Sequence, residues 1–191
     1  MATKVSDSGL TFISSWSAYS DTVYKVERNL TSDGKYLGFF DGSVLASLSY
    51  FQKINDNVET TTQENALSCL RSHLNRIVFK LLTDFGFEKF NQTQFDALVS
   101  LLTLDSRESD FYDYFKSTDL YTALKTDVSD PSVPGLITNY VGNTALSNSG
   151  AFYNFADRRA AESTLFSSGV YNNCSSLATN EKVVDGIKVL Y

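Results

Sequence analysis

The sequence predicts a mainly α-helical protein: an up-and-down bundle of about five helices over residues 10–125, then an irregular C-terminal region that ends in a β-hairpin. Apolar residues recur at three- and four-residue steps through long segments, which is the period of an amphipathic helix. The two prolines of the 191-residue chain are Pro131 and Pro134, so none interrupts a helix before them. Asp185-Gly186, between two runs rich in β-branched residues, predicts the hairpin turn.

The central element is a helix predicted over residues 61–85. Thr61 and Glu64 have the spacing of a capping box, in which each side chain bonds an amide of the first turn. Gly86 follows the last apolar residue and suits the backbone conformation that ends a helix. The apolar residues that share one face of this helix are Leu67, Leu70, Leu74, Ile77 and Leu81.

A first helix is predicted over residues 10–31. Its apolar residues alternate steps of four and three, which is the pattern of helices that pack lengthwise in a bundle. They are Phe12, Trp16, Tyr19, Val23, Val26 and Leu30. The apolar segment 36–40, which lies between two Asp-Gly pairs, is predicted to be extended and to pack over one end of the bundle.

Three more helices complete the predicted bundle. One covers residues 43–55, one begins at Asn91 or Thr93, and one covers residues 109–125. The predicted loops are short, so we expect neighbouring helices to be antiparallel.

The best domain boundary is the turn-rich linker at residues 127–135. It divides the chain into a helix bundle at 1–126 and a C-terminal region at 127–191. That region is predicted to hold short helices near 135–142 and 154–167 before its hairpin. A lone hairpin is only marginally stable in water, so it should pack on the bundle or on a neighbouring subunit.

Composition narrows the choice of partners. The net charge of −6 does not indicate nucleic acid as a partner and argues against an anionic membrane surface, but it leaves open nucleic-acid binding at a local basic site. No apolar stretch is long enough to cross a membrane, and the first residues lack a secretion signal, so we expect a cytoplasmic or virion location.

Cys69 and Cys174 are expected to be free thiols, with a single disulfide as the alternative.

Basic residues form two candidate sites for an anion or a partner. Arg71, Arg76 and Lys80 lie in a part of the central helix that has no acidic residue between Glu64 and Asp84. Their alternative explanation is the preference of cations for the C-terminal half of a helix.

The second basic pair is Arg158-Arg159, for which an ordinary solvated helix face is the default expectation, because Asp157 and Glu162 are spaced to pair with it. Cys69 and His73, one helical turn apart, have too few companions for a structural zinc site.

Acidic residues are densest between residues 105 and 113. Asp105, Glu108, Asp110 and Asp113 lack the glycine and the spacing of a calcium loop, so a solvated face is expected there and no metal site is assigned. No phosphate loop, dinucleotide fingerprint or nucleophile elbow is present, and no cofactor is expected.

These observations predict a non-enzymatic structural or assembly subunit of a larger particle, such as a virion, whose partners are copies of itself or other subunits. Abundant aromatic residues and a terminal hairpin that needs a partner favour this function. One alternative is a monomeric binding or regulatory module that uses the helix face of Cys69, His73, Arg76 and Lys80. Another is an enzyme that uses the carboxylates at 105–113. The predicted assembly arm consists of Val183, Val184, Ile187, Val189 and Tyr191.

Overall fold

A computed structural model describes seven ranges of the chain: 2–26, 36–40, 60–103, 111–140, 155–175, 181–184 and 187–190. Within them the chain is mainly helical, which confirms the predicted fold class. In chain order the elements are α1 (Asp7–Ser15), β1 (Ala18–Val26), β2 (Tyr36–Phe40), α2 (Gln63–Phe85), α3 (Gln92–Thr103), α4 (Phe111–Lys116), α5 (Asp119–Thr126), α6 (Val133–Thr138), α7 (Phe155–Ser168), β3 (Glu181–Val184) and β4 (Ile187–Leu190). None of the helices in these ranges is long and apolar enough to cross a membrane.

The caps of α2 and α3 explain where these two predicted helices begin. The hydroxyl of Thr62, one residue after the predicted cap, accepts the backbone N–H of Asn65 at 3.2 Å. Before α3, the side chain of Asn91 accepts the N–H of Gln94, whose own side chain accepts the N–H of Asn91. This reciprocal pair is a capping box. At the other end of α2, Gly86 has φ 80°, which glycine adopts without strain.

The first predicted helix is wrong beyond its first six residues. α1 ends at Ser15, and residues 18–26, which lie within the helix predicted over 10–31, form β1. This segment contains Thr22, Val23, Tyr24 and Val26, residue types that favour strands, and it pairs with strands on both sides. The helical spacing of apolar residues therefore continues through β1 by coincidence. The helix predicted over 43–55 lies outside the described residues.

The helix predicted over 109–125 is divided into two. α4 ends at Lys116, and the hydroxyl of Thr118 then accepts the backbone N–H of Tyr121 at 3.3 Å to cap α5. Ser-Thr-Asp at 117–119 is a cap signal in the middle of a continuous apolar pattern. The two short helices predicted beyond the linker are present as α6 and α7.

The four strands form one sheet in the order β2-β1-β4-β3. β3 and β4 form the predicted antiparallel hairpin, in which Val184 pairs with Ile187 and Lys182 with Val189. β4 then lies parallel to β1 of the same chain. The predicted assembly arm is thus part of the chain's own sheet, and only Tyr191 of its members lies outside the described residues.

The core is centred on α3, whose residues 95–103 are all buried. It packs against α1, α2 and α7, while α6 packs against α5 and α7. The division of the chain at residue 126 stays a prediction.

The buried carboxylate of Asp96 on α3 fixes the start of α1. It accepts the backbone N–H of Ser6 at 3.1 Å, the Ser6 hydroxyl, the amide of Gln92 at 2.9 Å and the hydroxyl of Tyr171 at 2.8 Å. A Cβ atom at Gly9 would overlap with this carboxylate, so α1 approaches α3 closely only because residue 9 is glycine.

Candidate active site

β1 is fastened to the beginning of α2 by three contacts. The Tyr19 hydroxyl donates to the carbonyl of Thr61 at 3.1 Å, and the backbone N–H of Thr61 donates to the carbonyl of Asp21 at 3.0 Å. Thr22 and Thr60 form an antiparallel bridge beside them. The backbone of Asp21, whose side chain is exposed, is therefore held next to the segment that leads into α2.

The side chain of Asp21 also influences its neighbour electrostatically. Burial raises the pKa of Tyr19, and the negative charge of Asp21 raises it further. The carboxylate of Asp21 makes no hydrogen bond or ion pair with any residue in the described part of the chain. The side chain of Asp21 is exposed.

A groove of about 630 Å³ lies between α1 and the first half of α2. Polar side chains from both helices surround two leucines. The lining residues are Asp7, Leu10 and Thr11 of α1 and Gln63, Glu64, Leu67, Ser68 and Arg71 of α2.

The two carboxylates of this groove differ in their partners. Asp7 forms an ion pair with Arg71 at 2.6 Å, and Arg71 also donates to the carbonyl of Val5 at 2.9 Å. Glu64 is exposed and has no ion-pair partner among the described residues. Because Glu64 follows Thr61 by three residues, and Thr61 is bonded to Asp21, two exposed carboxylates flank the point where β1 meets α2.

The three cations of the central helix do not all face the same element of the structure. Arg71 turns towards α1 and Asp7, as described above. Arg76 lies 4.8 Å from the ring centre of Phe111, and Lys80 lies 5.7 Å from that of Tyr112. Anion binding by Arg71, Arg76 and Lys80 together stays a prediction, although the first of them faces a different element.

Arg158 and Arg159 are not on the solvated face that their spacing suggested. Both are buried on α7, and both form ion pairs with the buried Glu162. Arg158 also donates to the carbonyl of Ser100 at 3.1 Å, and Arg159 to that of Leu101 at 3.3 Å. This pair therefore fastens α7 to α3 and presents no exposed anion site.

The cysteines and the acidic residues at 105–113, which the sequence also offered as candidates, form no site among the described residues. Cys69 and Cys174 are free thiols, as predicted. The described residues contain no group of three or more His, Cys, Asp or Glu side chains that could hold a metal ion. Asp113 is exposed on α4, while Asp105, Glu108 and Asp110 lie outside the described residues.

Asp21 and Glu64 were not among the residues that the sequence singled out. Asp21 fell inside the helix predicted over 10–31, where it appeared as an ordinary polar residue. Glu64 was assigned to a capping box with Thr61, whereas the structure caps α2 with Thr62. The available signal was the polar and β-branched run at 20–23, which favours a strand that brings Asp21 to a sheet.

The protein resembles known proteins in structure but not in sequence. The sequence matches no family model and no curated protein. The structure is similar to the endolysin from Escherichia coli O157:H7 phage FAHEc1, with a TM-score of 0.65, 14% identity, and coverage of 88% of this chain and 96% of that chain. A mutant of P22 lysozyme has a TM-score of 0.61 and 16% identity over 87% of this chain and 99% of its own. The muramidase domain of SpmX from Asticaccaulis excentricus has a TM-score of 0.59 and 20% identity over 87% and 99%.

These similarities overturn the predicted function. The chain has the fold of proteins that are named endolysin, lysozyme and muramidase, and nearly the whole length of each is matched. The prediction of a non-enzymatic structural subunit is therefore wrong, and so is the prediction of a self-assembling virion component. It depended on the terminal hairpin needing another subunit, whereas β4 pairs with β1 of the same chain. The predicted cytoplasmic or virion location stays a prediction.

Proposed function

We propose that this protein is a lysozyme-like glycoside hydrolase that cleaves the glycan of the bacterial cell wall. The observation that carries the proposal is the match of a whole fold. Proteins named for this activity are covered over 96%, 99% and 99% of their length, with TM-scores of 0.65, 0.61 and 0.59. The identities of 14–20% support a shared fold, so the reaction itself is what must be tested.

Lysozyme chemistry requires two carboxyl groups on either side of the glycosidic bond. One donates a proton to the leaving oxygen, and the other acts on the sugar carbon directly or through a water molecule. Both must reach substrate. Among the described residues, Asp21 and Glu64 fit this requirement best. Both are exposed, Glu64 lines the groove, and the backbone of Asp21 is bonded to the segment from which the helix of Glu64 begins.

Other carboxylates of the described chain fit less well. Asp96 and Glu162 are fully buried and already accept several donors. Asp7 is held by Arg71. We assign proton donation to Glu64, since it lines a groove that a bound sugar would shield from water. Asp21 is then the carboxylate that supports the developing positive charge or activates water.

The test is the release of new reducing ends from purified bacterial sacculi. Asp21→Asn and Glu64→Gln should each lower the rate by about 100-fold or more, the typical contribution of a general acid or base. Asp157→Asn and Glu88→Gln make the same chemical changes at exposed positions of α7 and beyond α2, and should stay within about threefold of wild type.

Each result decides a different point. Absence of reducing ends with the wild-type protein, tested on sacculi from several bacteria, would overturn the proposed function. Cleavage that survives both Asp21→Asn and Glu64→Gln would overturn the assignment of the two carboxylates.

A further inference from the structure

We infer that Ser20 is a positioning residue, whose buried hydroxyl holds the bulge of β1 that carries Asp21. The catalytic role of Asp21 rests on the proposed function. The bulge and the contacts that fix it are features of the structure itself.

β1 and β2 are not paired evenly along their length. Ser20 of β1 pairs with Gly38 of β2, and the next pair is Tyr24 with Tyr36. Three residues of β1, the first of which is Asp21, therefore lie opposite a single residue of β2. An insertion of this kind is a β-bulge, which bends the strand and redirects the side chains that it carries.

The bulged residues are connected to the segment that leads into α2. The carbonyl of Asp21 accepts the backbone N–H of Thr61 at 3.0 Å. Beside this bond, Thr22 forms an antiparallel bridge with Thr60. The position of Asp21 relative to α2, and hence to the groove that Glu64 lines, therefore depends on the shape of the bulge.

The side chain of Ser20 closes the bulge from within. It is 3% exposed, and its hydroxyl donates to the carbonyl of Thr22 at 2.7 Å. Asp21 lies between these two residues, so the bond restrains the backbone on both sides of it. Local bonds from a serine side chain to the backbone compete with regular strand pairing, and this one stabilises the bulge against even pairing with β2. An alanine at position 20 would keep the strand but lose the restraint.

The test compares Ser20→Ala with Ser163→Ala, since a purely structural bond would affect stability alone. Ser163 on α7 is 9% exposed, and its hydroxyl donates to the carbonyl of Pro134 at 2.8 Å, so both variants lose a bond of the same kind. On bacterial sacculi, the kcat of Ser20→Ala should fall by about tenfold or more while KM stays within about threefold, because a small misplacement of a catalytic group lowers the rate steeply. Ser163→Ala should keep kcat within about twofold at a similar loss of melting temperature. Ser20→Thr, which retains the hydroxyl, should recover most of the kcat.

A second measurement does not require turnover. Hydrogen exchange of the Thr61 amide, followed by nuclear magnetic resonance, reports on the bond between the bulge and the segment before α2. This exchange should be about tenfold faster or more in Ser20→Ala than in wild type, and unchanged in Ser163→Ala.

Each adverse result decides a separate point. Unchanged exchange at Thr61 in Ser20→Ala would overturn the inference, whatever the rates of cleavage. Faster exchange with an unchanged kcat, or an equal loss of kcat in Ser163→Ala, would overturn the positioning role. If the wild-type protein does not cleave sacculi, the proposed function fails and the positioning role fails with it, whereas the exchange result still decides whether Ser20 holds the bulge.

Discussion

In the described part of the chain, arginine forms an ion pair with a carboxylate at two places, and these two places differ in burial. Between α3 and α7, Glu162 is 0% exposed and faces Arg158 and Arg159, which are 4% and 1% exposed. Between α1 and α2, Asp7 is 98% exposed and faces Arg71, which is 33% exposed. The same chemical pair therefore holds the core together in one place and borders a groove open to solvent in the other.

Burial determines what each cluster can do. In the core, the Ser100 hydroxyl donates to Glu162 at 2.6 Å, and carbonyls of α3 accept from both arginines. These side chains cannot exchange partners, because losing one partner would leave a charge in the protein interior, which solvates it poorly. At the surface, water can replace any partner, so the groove can exchange its contacts for those of a ligand.

The largest effect is expected from Glu162→Gln. The substitution keeps the size of the side chain but removes the negative charge that two buried guanidinium groups face. We expect a loss of about 3–5 kcal/mol in the free energy of unfolding, the usual result of breaking a buried ion pair from one side. Urea denaturation followed by circular dichroism measures it.

Glu88→Gln is the matched control for this experiment. Glu88 is exposed just after α2, so the same change should move stability by less than about 0.5 kcal/mol. If Glu162→Gln were equally mild, the contrast between the buried and exposed clusters would fail.

An intermediate case is the half-buried Tyr171, which donates to the buried Asp96 at 2.8 Å. Burial, and then this hydrogen bond and the charge of Asp96, raise the pKa of Tyr171 to about 12, while a hydrogen bond with Ser6 opposes them. In the unfolded chain the same hydroxyl ionises near pH 10. Between these values the folded state keeps a proton that the unfolded state loses, so stability falls as the pH rises.

Replacing Tyr171 with Phe tests this dependence. Near neutral pH the variant should be less stable than wild type by about 1–2 kcal/mol, because Asp96 loses one of its four donors. The difference should shrink between pH 10 and pH 12, as wild type loses its advantage. A difference that stays constant from pH 8 to pH 11.5, measured by urea denaturation, would contradict the assignment.

The sequence predicted those parts of the fold whose burial follows a local period. α2 was found because its apolar residues repeat along one helix face, and α3 because a cap residue precedes its apolar run. The hairpin was found because its turn residues are specific. β1 was missed because strand pairing with β2 and β4 joins residues far apart in the chain, and a short run of aromatic and β-branched residues also fits a helical spacing by chance.

The site was harder to predict for the same reason. Asp21 is brought to the segment before α2, the helix of Glu64, only by the bond between the backbones of Asp21 and Thr61, a contact across 40 residues of chain. The spacing of Arg158 and Arg159 from Glu162 was visible, but spacing alone does not distinguish a solvated pair from a buried one. The presence of Ser100 opposite them on α3 decides this, and only the fold reveals it.

The smallest effect is expected at the exposed pair, and it completes the contrast with Glu162. Asp7→Asn should change stability by about 0.5 kcal/mol or less, since solvent screens an exposed ion pair. Arg71→Met should cost more than Asp7→Asn, because it also removes the bond to the carbonyl of Val5. A double-mutant cycle on the two substitutions isolates the pair itself, for which we expect a coupling of about 0.2–1 kcal/mol that decreases in 0.5 M salt. A coupling above 2 kcal/mol would contradict the comparison, because the exposed ion pair would then contribute as much to stability as a buried one.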